Sequence, residues 1–470
     1  MLVNLPLEIL HHITKKLDQP EIVNLSRTNS FFSRLLIPRL YSAVTVEATP
    51  KIFGNSQVYA NEKFKLGNEY ISSIKISSIY ALGLFFKSLI KNREFCSFVK
   101  VLVFKSQIPD IEDAKLFGYL DRTICHMKNL EIFSLERKSV NVPLDWFNCG
   151  ICKLQGKIVG TTPYQFDLEA LSLINTIDLT SSKHINLNNL QELSILNSND
   201  LHVFENLFQH NRNKIKLRKL VIENSHLDYN IADLLDRHLE LNELQCLSIP
   251  LSDGCQPIKY NLFLEKLVPY MTNLSDLTFS TTDHRLLQSL KSLNLTKLKV
   301  LCHSNKFDLG LILASVNRES LLQLDIDYIT DTTPNKCPIS PPSTSIKLLK
   351  SFPKLKMLSI PVTDDGMLDL PTYLPTNLEM LVVKCLTPEL VETSLVDYNC
   401  DHYWQSFQIR RETNQSCQFG EIVEKFSENI PNLKWVAFEK TNTYLYEIRA
   451  GKAVKHDMCI IDIEDRILRS

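Results

Sequence analysis

The chain has 470 residues, 44% of them apolar and 22% charged, which supports a packed core and excludes global disorder. Lys plus Arg number 52 against 53 Asp plus Glu, a formal net charge of -1, so there is no basic footprint for bulk nucleic-acid or anionic-membrane binding. The length is that of about three ordinary domains or one elongated architecture. Neither a secretory signal nor an apolar run of the ~20 residues needed to span a bilayer is predicted. The 12 cysteines are scattered singly except Cys149 and Cys152, and read as reduced thiols of a cytosolic or nuclear protein.

Residues 4–46 read as three short helices. Leu5-Pro6 opens the first, with Pro in the first turn where its missing N–H costs nothing. Ile9, Leu10, Ile13 and Leu17 then recur at helical spacing. Pro20 starts a second helix with Ile22, Val23 and Leu25. Asn29 or Ser30 caps a third, which carries Phe31, Phe32, Leu35 and Leu36 and is predicted to stop at Pro38. About 40 residues cannot enclose so many large apolar groups, so part of this surface must meet another domain or chain.

The order Leu5-Pro6-x-Glu8-Ile9-Leu10-x-x-Ile13-x-x-x-Leu17, then Leu25-Ser26-Arg27-Thr28 and Phe32, then Pro38-x-Leu40-Tyr41 resembles an F-box of fungal type. It departs from the family pattern at Asn29 and Phe32, where Cys and Trp are frequent. The resemblance implies binding of a Skp-type adaptor through Leu5, Pro6, Ile9, Ile13 and Leu17, and through the adaptor a cullin and a RING subunit. Leu25 and Phe32 would fill the module's own core. The same residues would be internal if the module were only a helical cap on the following domain.

The rest of the chain repeats the phrase apolar-x-x-apolar-x-apolar. Copies start at Leu190, Leu217, Leu244, Leu274, Leu295, Leu321, Leu355, Leu378, Trp404 and Leu433, with weaker ones at Ile71, Val99, Leu130 and Ile174. The two-residue alternation at the end of each phrase predicts a short strand. Amphipathic segments at 201–209, 231–241, 262–271 and 419–430 predict helices between strands. Ser182, Ser198, Ser225, Ser252, Thr282, Thr363 and Thr441 stand eight residues after the phrase begins. The period and this position resemble the irregular leucine-rich repeats that follow F-boxes, with Ser or Thr in place of Asn or Cys.

The expected fold is therefore α/β: a three-helix F-box at 1–48, then a degenerate leucine-rich-repeat solenoid at 49–445 with a curved parallel sheet and helices on the convex side, then a cap or tail at 446–470. Residues 136–172 hold no clean copy and are expected to be an irregular repeat or loop. The Pro/Ser/Thr-rich segment 330–345 reads as an inserted surface loop, in which Ser340-Pro341 could be phosphorylated. Met458–Ile463 is expected to add a strand near the end of the chain.

No motif nominates a catalyst, and no cofactor or metal is expected. Cys149-Gly-Ile-Cys152 lacks a second ligand pair at zinc spacing, and reads as two buried structural thiols. His11-His12 has no third ligand beside it. Asp364-Asp365-Gly366 lacks the later ligands of a calcium loop. Phosphate loops, GxSxG and HExxH are absent.

Side chains between the core positions of each phrase would line the concave face. Lys297, Lys299, Asp325, Asp327, Arg410 and Trp435 are the candidates for holding a protein substrate, Arg and Trp being types enriched at hot spots. The resemblance implies a non-catalytic receptor subunit of an SCF-type ubiquitin ligase, acting in the cytoplasm, the nucleus or both. It would present an unknown protein target for ubiquitination and proteasomal degradation, with no nucleic acid or membrane partner. Two alternatives stand beside it: an F-box scaffold that works without a cullin, or a leucine-rich-repeat regulator of another enzyme such as a GTPase.

Overall fold

The computed structural model describes residues 5–46 (except 15, 16 and 18), 63–105 (except 67, 68 and 77), 111–176 (except 149), 185–197, 201–223 (except 210 and 212), 227–251, 257–281, 290–303, 309–329, 343–362, 370–385, 415–439, 443–456, 463, 467 and 468. The protein is α/β, built on mostly parallel β-structure with helices between strands. It divides into two compact units: residues 1–226 with 233–240, and residues 227–232 with 241–470. The boundary predicted at residue 48 falls inside the first unit.

The first unit opens with α1 (Leu7–Thr14), α2 (Gln19–Ser26) and α3 (Ser30–Ser42). Asn29 is the N-cap of α3, its side chain accepting from the Phe32 N–H at 2.9 Å. Pro38 does not end α3, which runs on to Ser42. The proline removes one helical N–H donor. Leu36 and Leu40, packed in the module's core, hold the helix on either side of it. Strand β1 (Ala43–Val46) follows α3 without an intervening residue.

Then come β2 (Lys63–Leu66), β3 (Glu69–Ser72), β4 (Ile74–Ile76), α4 (Ile79–Lys91), α5 (Arg93–Cys96), β5 (Val101–Phe104), α6 (Asp113–Thr123), β6 (Ile132–Leu135), β7 (Asn141–Pro143), β8 (Lys153–Val159), β9 (Phe166–Asp167), β10 (Ala170–Ile174), β11 (Ile185–Asn186), β12 (Glu192–Leu196) and β13 (Lys219–Glu223). The order β4-β1-β5-β6-β8-β10-β12-β13 is parallel at every step. β2 and β3 form an antiparallel hairpin of their own.

The second unit carries β14 (Cys246–Ile249), β15 (Asp276–Thr281), β16 (Lys297–His303), β17 (Gln323–Ile329), β18 (Met357–Val362), β19 (Met380–Cys385) and β20 (Trp435–Glu439), parallel in sequence order from β14 to β20. It ends in antiparallel β21 (Thr443–Arg449) and β22 (Lys452–His456). The turn between these two has Ala450 and Gly451 at φ 51° and 76°, the two positive values a tight hairpin turn requires.

Successive parallel strands begin the same way. The residue just before one strand offers its carbonyl to two successive N–H groups at the start of the next. Lys100 does this for Glu131 and Ile132, Cys152 for Glu169 and Ala170, Ser275 for Thr296 and Lys297, and Glu379 for Lys434 and Trp435. An apolar anchor stands beside this link in each copy: Val99, Leu130, Leu190, Leu217, Leu244, Leu274, Leu295, Leu321, Leu355, Leu378 and Leu433 are all buried. The predicted phrases at these positions are strands in the expected register.

Segment 136–172 is not a plain loop. It holds two further copies, Ile151-x-x-Leu154 leading β8 and Leu168-x-x-Leu171-x-Leu173 leading β10, all buried. The phrase placed at Ile174 is therefore six residues late; Ile174 closes β10, and 177–184 lie outside the described residues. In β8 the third apolar position is Gly156. Val142 of β7 covers it so closely that a Cβ there would lie 2.7 Å from Val142 Cγ2. β7 runs parallel to the far half of β8, so Val142 supplies the missing core side chain from outside the phrase.

Helices observed at Leu201–Phe208, Tyr229–His238, Pro257–Leu267 and Gln415–Asn429 match the amphipathic segments, with ends shifted by a few residues. The Ser and Thr eight residues into each phrase, the phrase at Trp404, Ser340-Pro341, Asp364-Asp365-Gly366 and the strand expected at Met458–Ile463 (Ile463 apart) lie outside the described residues.

Candidate protein-binding surfaces

The helical module closes its own core with Leu10, Ile22, Phe32 and Leu36, flanked by Leu5, Leu17, Leu25, Leu35 and Leu40. That leaves other apolar groups outside. Of the five residues expected to meet an adaptor, Pro6 and Ile9 are exposed, and Leu5, Ile13 and Leu17 are half-buried. Pro6, Ile9 and Ile13 follow i, i+3, i+7 spacing and so share one side of α1. Leu7 of α1 and Phe31 of α3 are exposed as well, at 51% and 38%; neither is among the residues expected to meet the adaptor. Burying one such side chain against a partner contributes about 1.5–3 kcal/mol.

The module is fastened to α4 and α5 of the same unit. Arg39 Nη2 donates to the Leu17 carbonyl at 3.2 Å, and burial holds its guanidinium below its ordinary pKa. Tyr41 stacks on Phe85 of α4 and lies against Phe95 of α5, at 5.7 and 5.0 Å between ring centres. Its hydroxyl is 2.7 Å from Ser88 Oγ.

In the first unit, the sheet face opposite the main core has two parts. Over β1, β5 and β6 it is apolar, and the β2–β3 hairpin covers it: Phe64, Leu66 and Ile71 pack on Ala43, Val101, Val103 and Ile132. Beyond the hairpin, one residue per strand forms a row in register: Ser134, Gln155, Ser172, Ser194 and Val221. Ser134 Oγ lies 2.7 Å from Gln155 Oε1. This row floors a groove of about 550 Å³ that Lys65, Lys105, Glu136, Lys153, Glu192, Lys219 and Glu223 also line. Sequence reasoning places the binding surface in the C-terminal half and passes over this groove, because the serines that make most of its floor carry no signal.

In the second unit, the corresponding rows run Asp276-Lys297-Gln323-Met357-Met380-Trp435 and Thr278-Lys299-Asp325-Ser359-Val382-Ala437. The structure brings Lys299, Asp325 and Asp327 together and adds Lys384. Lys384 Nζ is 2.6 Å from Asp325 and 3.6 Å from Asp327, and Lys299 Nζ is 3.2 and 3.7 Å from the same two. Lys384 also donates to the Ile326 carbonyl at 3.1 Å. Burial opposes the charge on Asp325, but Lys384, Lys299 and Ser359 outweigh it and hold the carboxyl below the ordinary range. Burial likewise opposes the charge on Lys299, and its two aspartates raise the ammonium above its usual value. These candidates are thus engaged with one another. Lys297 stands half-buried beside them, and Arg410 lies outside the described residues.

From Met357 of β18 onward the same face is apolar apart from Ser359, and the chain's own tail covers it. Ile463, Ile467 and Leu468 pack on Met357, Met380, Val382, Ala437 and Leu445, with Trp435 at the edge. The Trp435 ring meets His456 edge-on at 5.4 Å, so it faces this assembly. Lys356 Nζ donates to the Ile467 carbonyl at 3.4 Å. The tail contributes about 1.5–3 kcal/mol per buried side chain, against about 1–2 kcal/mol for ordering each backbone residue.

Cys152 is half-buried; its thiol approaches the Glu131 carbonyl at 3.2 Å. Burial, then Glu169 and Glu131, push it up to about 11, so it stays a protonated thiol at neutral pH. Cys149 lies outside the described residues, as does the side chain of His11, and His12 is exposed. Among the described residues no group of three His, Cys, Asp or Glu is placed to hold a metal ion, and no helix is long and apolar enough to cross a membrane. Compared with protein-family models and with curated proteins, the chain finds no match in either.

Proposed function

We propose that this chain is a substrate-recognition subunit of an SCF-type cullin–RING ubiquitin ligase. Its first three helices act as an F-box for a Skp-type adaptor, and its degenerate leucine-rich-repeat solenoid holds a target protein. The observation that carries the reading is a small helical module whose core is already closed by Leu10, Ile22, Phe32 and Leu36, yet which leaves Pro6, Leu7 and Ile9 exposed at the start of its first helix. Such a surface suits packing into an apolar groove of a partner. The chain would contribute choice and proximity, raising the effective concentration of target at the ligase. The chemistry would belong to the other subunits, in the cytoplasm, the nucleus or both.

Purified full-length chain and a Skp-type adaptor test this. The wild type should bind the adaptor, and an Ile9→Asp/Ile13→Asp variant should bind at least a hundredfold more weakly with its circular dichroism unchanged. Undiminished binding by a folded variant, or no binding by the wild type, refutes the assignment. Co-purification of a cullin with the wild type and not the variant extends it to a ligase; an adaptor complex lacking a cullin identifies a scaffold.

A further inference from the structure

The groove over β6–β13 is uneven along its length. At the hairpin end Lys65 and Lys153 line it beside Gln155. Among the described residues, the two ammonium groups have neither an ion-pair nor a hydrogen-bond partner. At the far end it is lined by Leu196 and Val221, both half-buried. Between the ends lie Ala170, Ser172 and Ser194, side chains small enough to admit a close backbone. The hydroxyls of these two serines are also without a partner among the described residues.

The acidic residues of the groove do not offset the two lysines. Glu192 stands 4.0 Å from Lys219, and Glu223 is at the far end, on β13. Glu136 comes four residues after Ile132, the register partner of Lys153, which is about 13 Å of strand. Lys153 is half-buried, and a charge partly withdrawn from water interacts more strongly with an anionic group than an exposed one does.

The spacing sets the length of a matching ligand. Strands lie about 4.8 Å apart, so β13, three steps from β8 through β10 and β12, is about 14 Å away. An extended peptide rises about 3.3 Å per residue and covers that span in roughly four residues.

We propose that this groove holds an extended segment of the target protein. One acidic residue of the segment lies against Lys65 and Lys153, and an apolar residue four positions away lies against Leu196 and Val221. The segment crosses the strands, and its backbone hydrogen-bonds to the hydroxyls of Ser172 and Ser194. The inference rests on the reading of the solenoid as the surface that holds a target, and it places that site in the first unit.

The test uses immobilised full-length protein and two libraries of capped nonapeptides, with Glu or Lys fixed at the centre and the other positions randomised. Wild type should retain the Glu library at least tenfold over the Lys library. Leu, Ile and Val should be enriched at least threefold four positions from the Glu. Lys153→Glu should reverse the preference between libraries, and Val221→Asp should remove the apolar enrichment while keeping the preference for Glu. Lys65→Glu, on the exposed hairpin, takes the place of Lys153→Glu if circular dichroism shows the latter unfolded. Equal retention of the two libraries by wild type, no enrichment four positions away, or an unchanged preference in the folded charge variant overturns the proposal. Adaptor binding is measured on the same preparations. A wild type that binds the adaptor and retains neither library refutes the groove and leaves the ligase reading; selective retention without adaptor binding does the reverse.

Discussion

The face of β8–β13 and the face of β18–β20 are made by the same phrase in the same strand register, yet one is floored by Ser172, Ser194 and Gln155 and the other by Met357, Met380 and Val382. The core positions hardly differ: Leu193 and Ile195 on one side of the comparison match Leu381 and Val383 on the other, all fully buried. What separates the two regions is carried by the intervening positions alone. Where those are small and polar the face lines a groove; where they are apolar the chain covers them itself. A repeat therefore writes two messages, one for folding and one for coverage, in alternate residues.

Substitutions can break or sharpen that contrast. The largest effect is expected from Met380→Lys, which sets an ammonium group under the tail and should lower stability by about 3 kcal/mol in urea unfolding. Next comes Lys384→Met. It leaves Asp325 and Asp327 to share Lys299 and should cost about 2 kcal/mol at neutral pH. The wild-type carboxyl of Asp325 is depressed, so its contribution is full above the ordinary carboxylate pKa and fades as pH falls through the lower folded value. In Lys384→Met that acid loss should end at a higher pH and be smaller, as a pH series of unfolding midpoints would record.

Gly156→Ala is expected to cost about 1–2 kcal/mol, because the added methyl meets Val142. A Gly156→Ala/Val142→Ala double variant should lose less than the two single costs together, which a double-mutant cycle measures. The smallest effect belongs to Ser172→Lys, within about 0.5 kcal/mol, since its side chain faces the open groove. A large loss there would mean that the groove is covered in solution and would erase the contrast.

Much of the fold is legible in the sequence because a buried anchor, a strand and an alternation recur together. The copy at Leu168 is complete and is passed over only because the phrase is placed at Ile174 instead; the copy at Ile151 escapes that reading for a local reason. Gly156 stands where the third apolar residue should be, and the side chain that replaces it, Val142, arrives from a strand outside the phrase. Trp435 illustrates a different limit. Alternation shows on which face a side chain stands, but the cover over that face comes from Ile463 and Ile467, which no periodicity links to it. Lys299 and Asp325 are readable as neighbours, but Lys384 reaches Asp325 across β18, and a strand skipped is a relation no local pattern records. Pro38 misleads because its stop rule assumes an unsupported helix, and α3 is held on both flanks.

The passage from Ser42 to Ala43 takes α3 into β1 without a spacer, and Tyr41 is wedged among Phe85, Phe95 and Ser88 at that point. There is no hinge in this stretch to absorb a rotation. The three helices and the first strands turn as a single lever, and the bearing of α1 relative to the row from Ser134 to Ser194 is set by side-chain packing. For any two molecules held at those places, the chance of meeting is then a matter of angle and reach, fixed when the chain folds, and not of the random excursions of a tether.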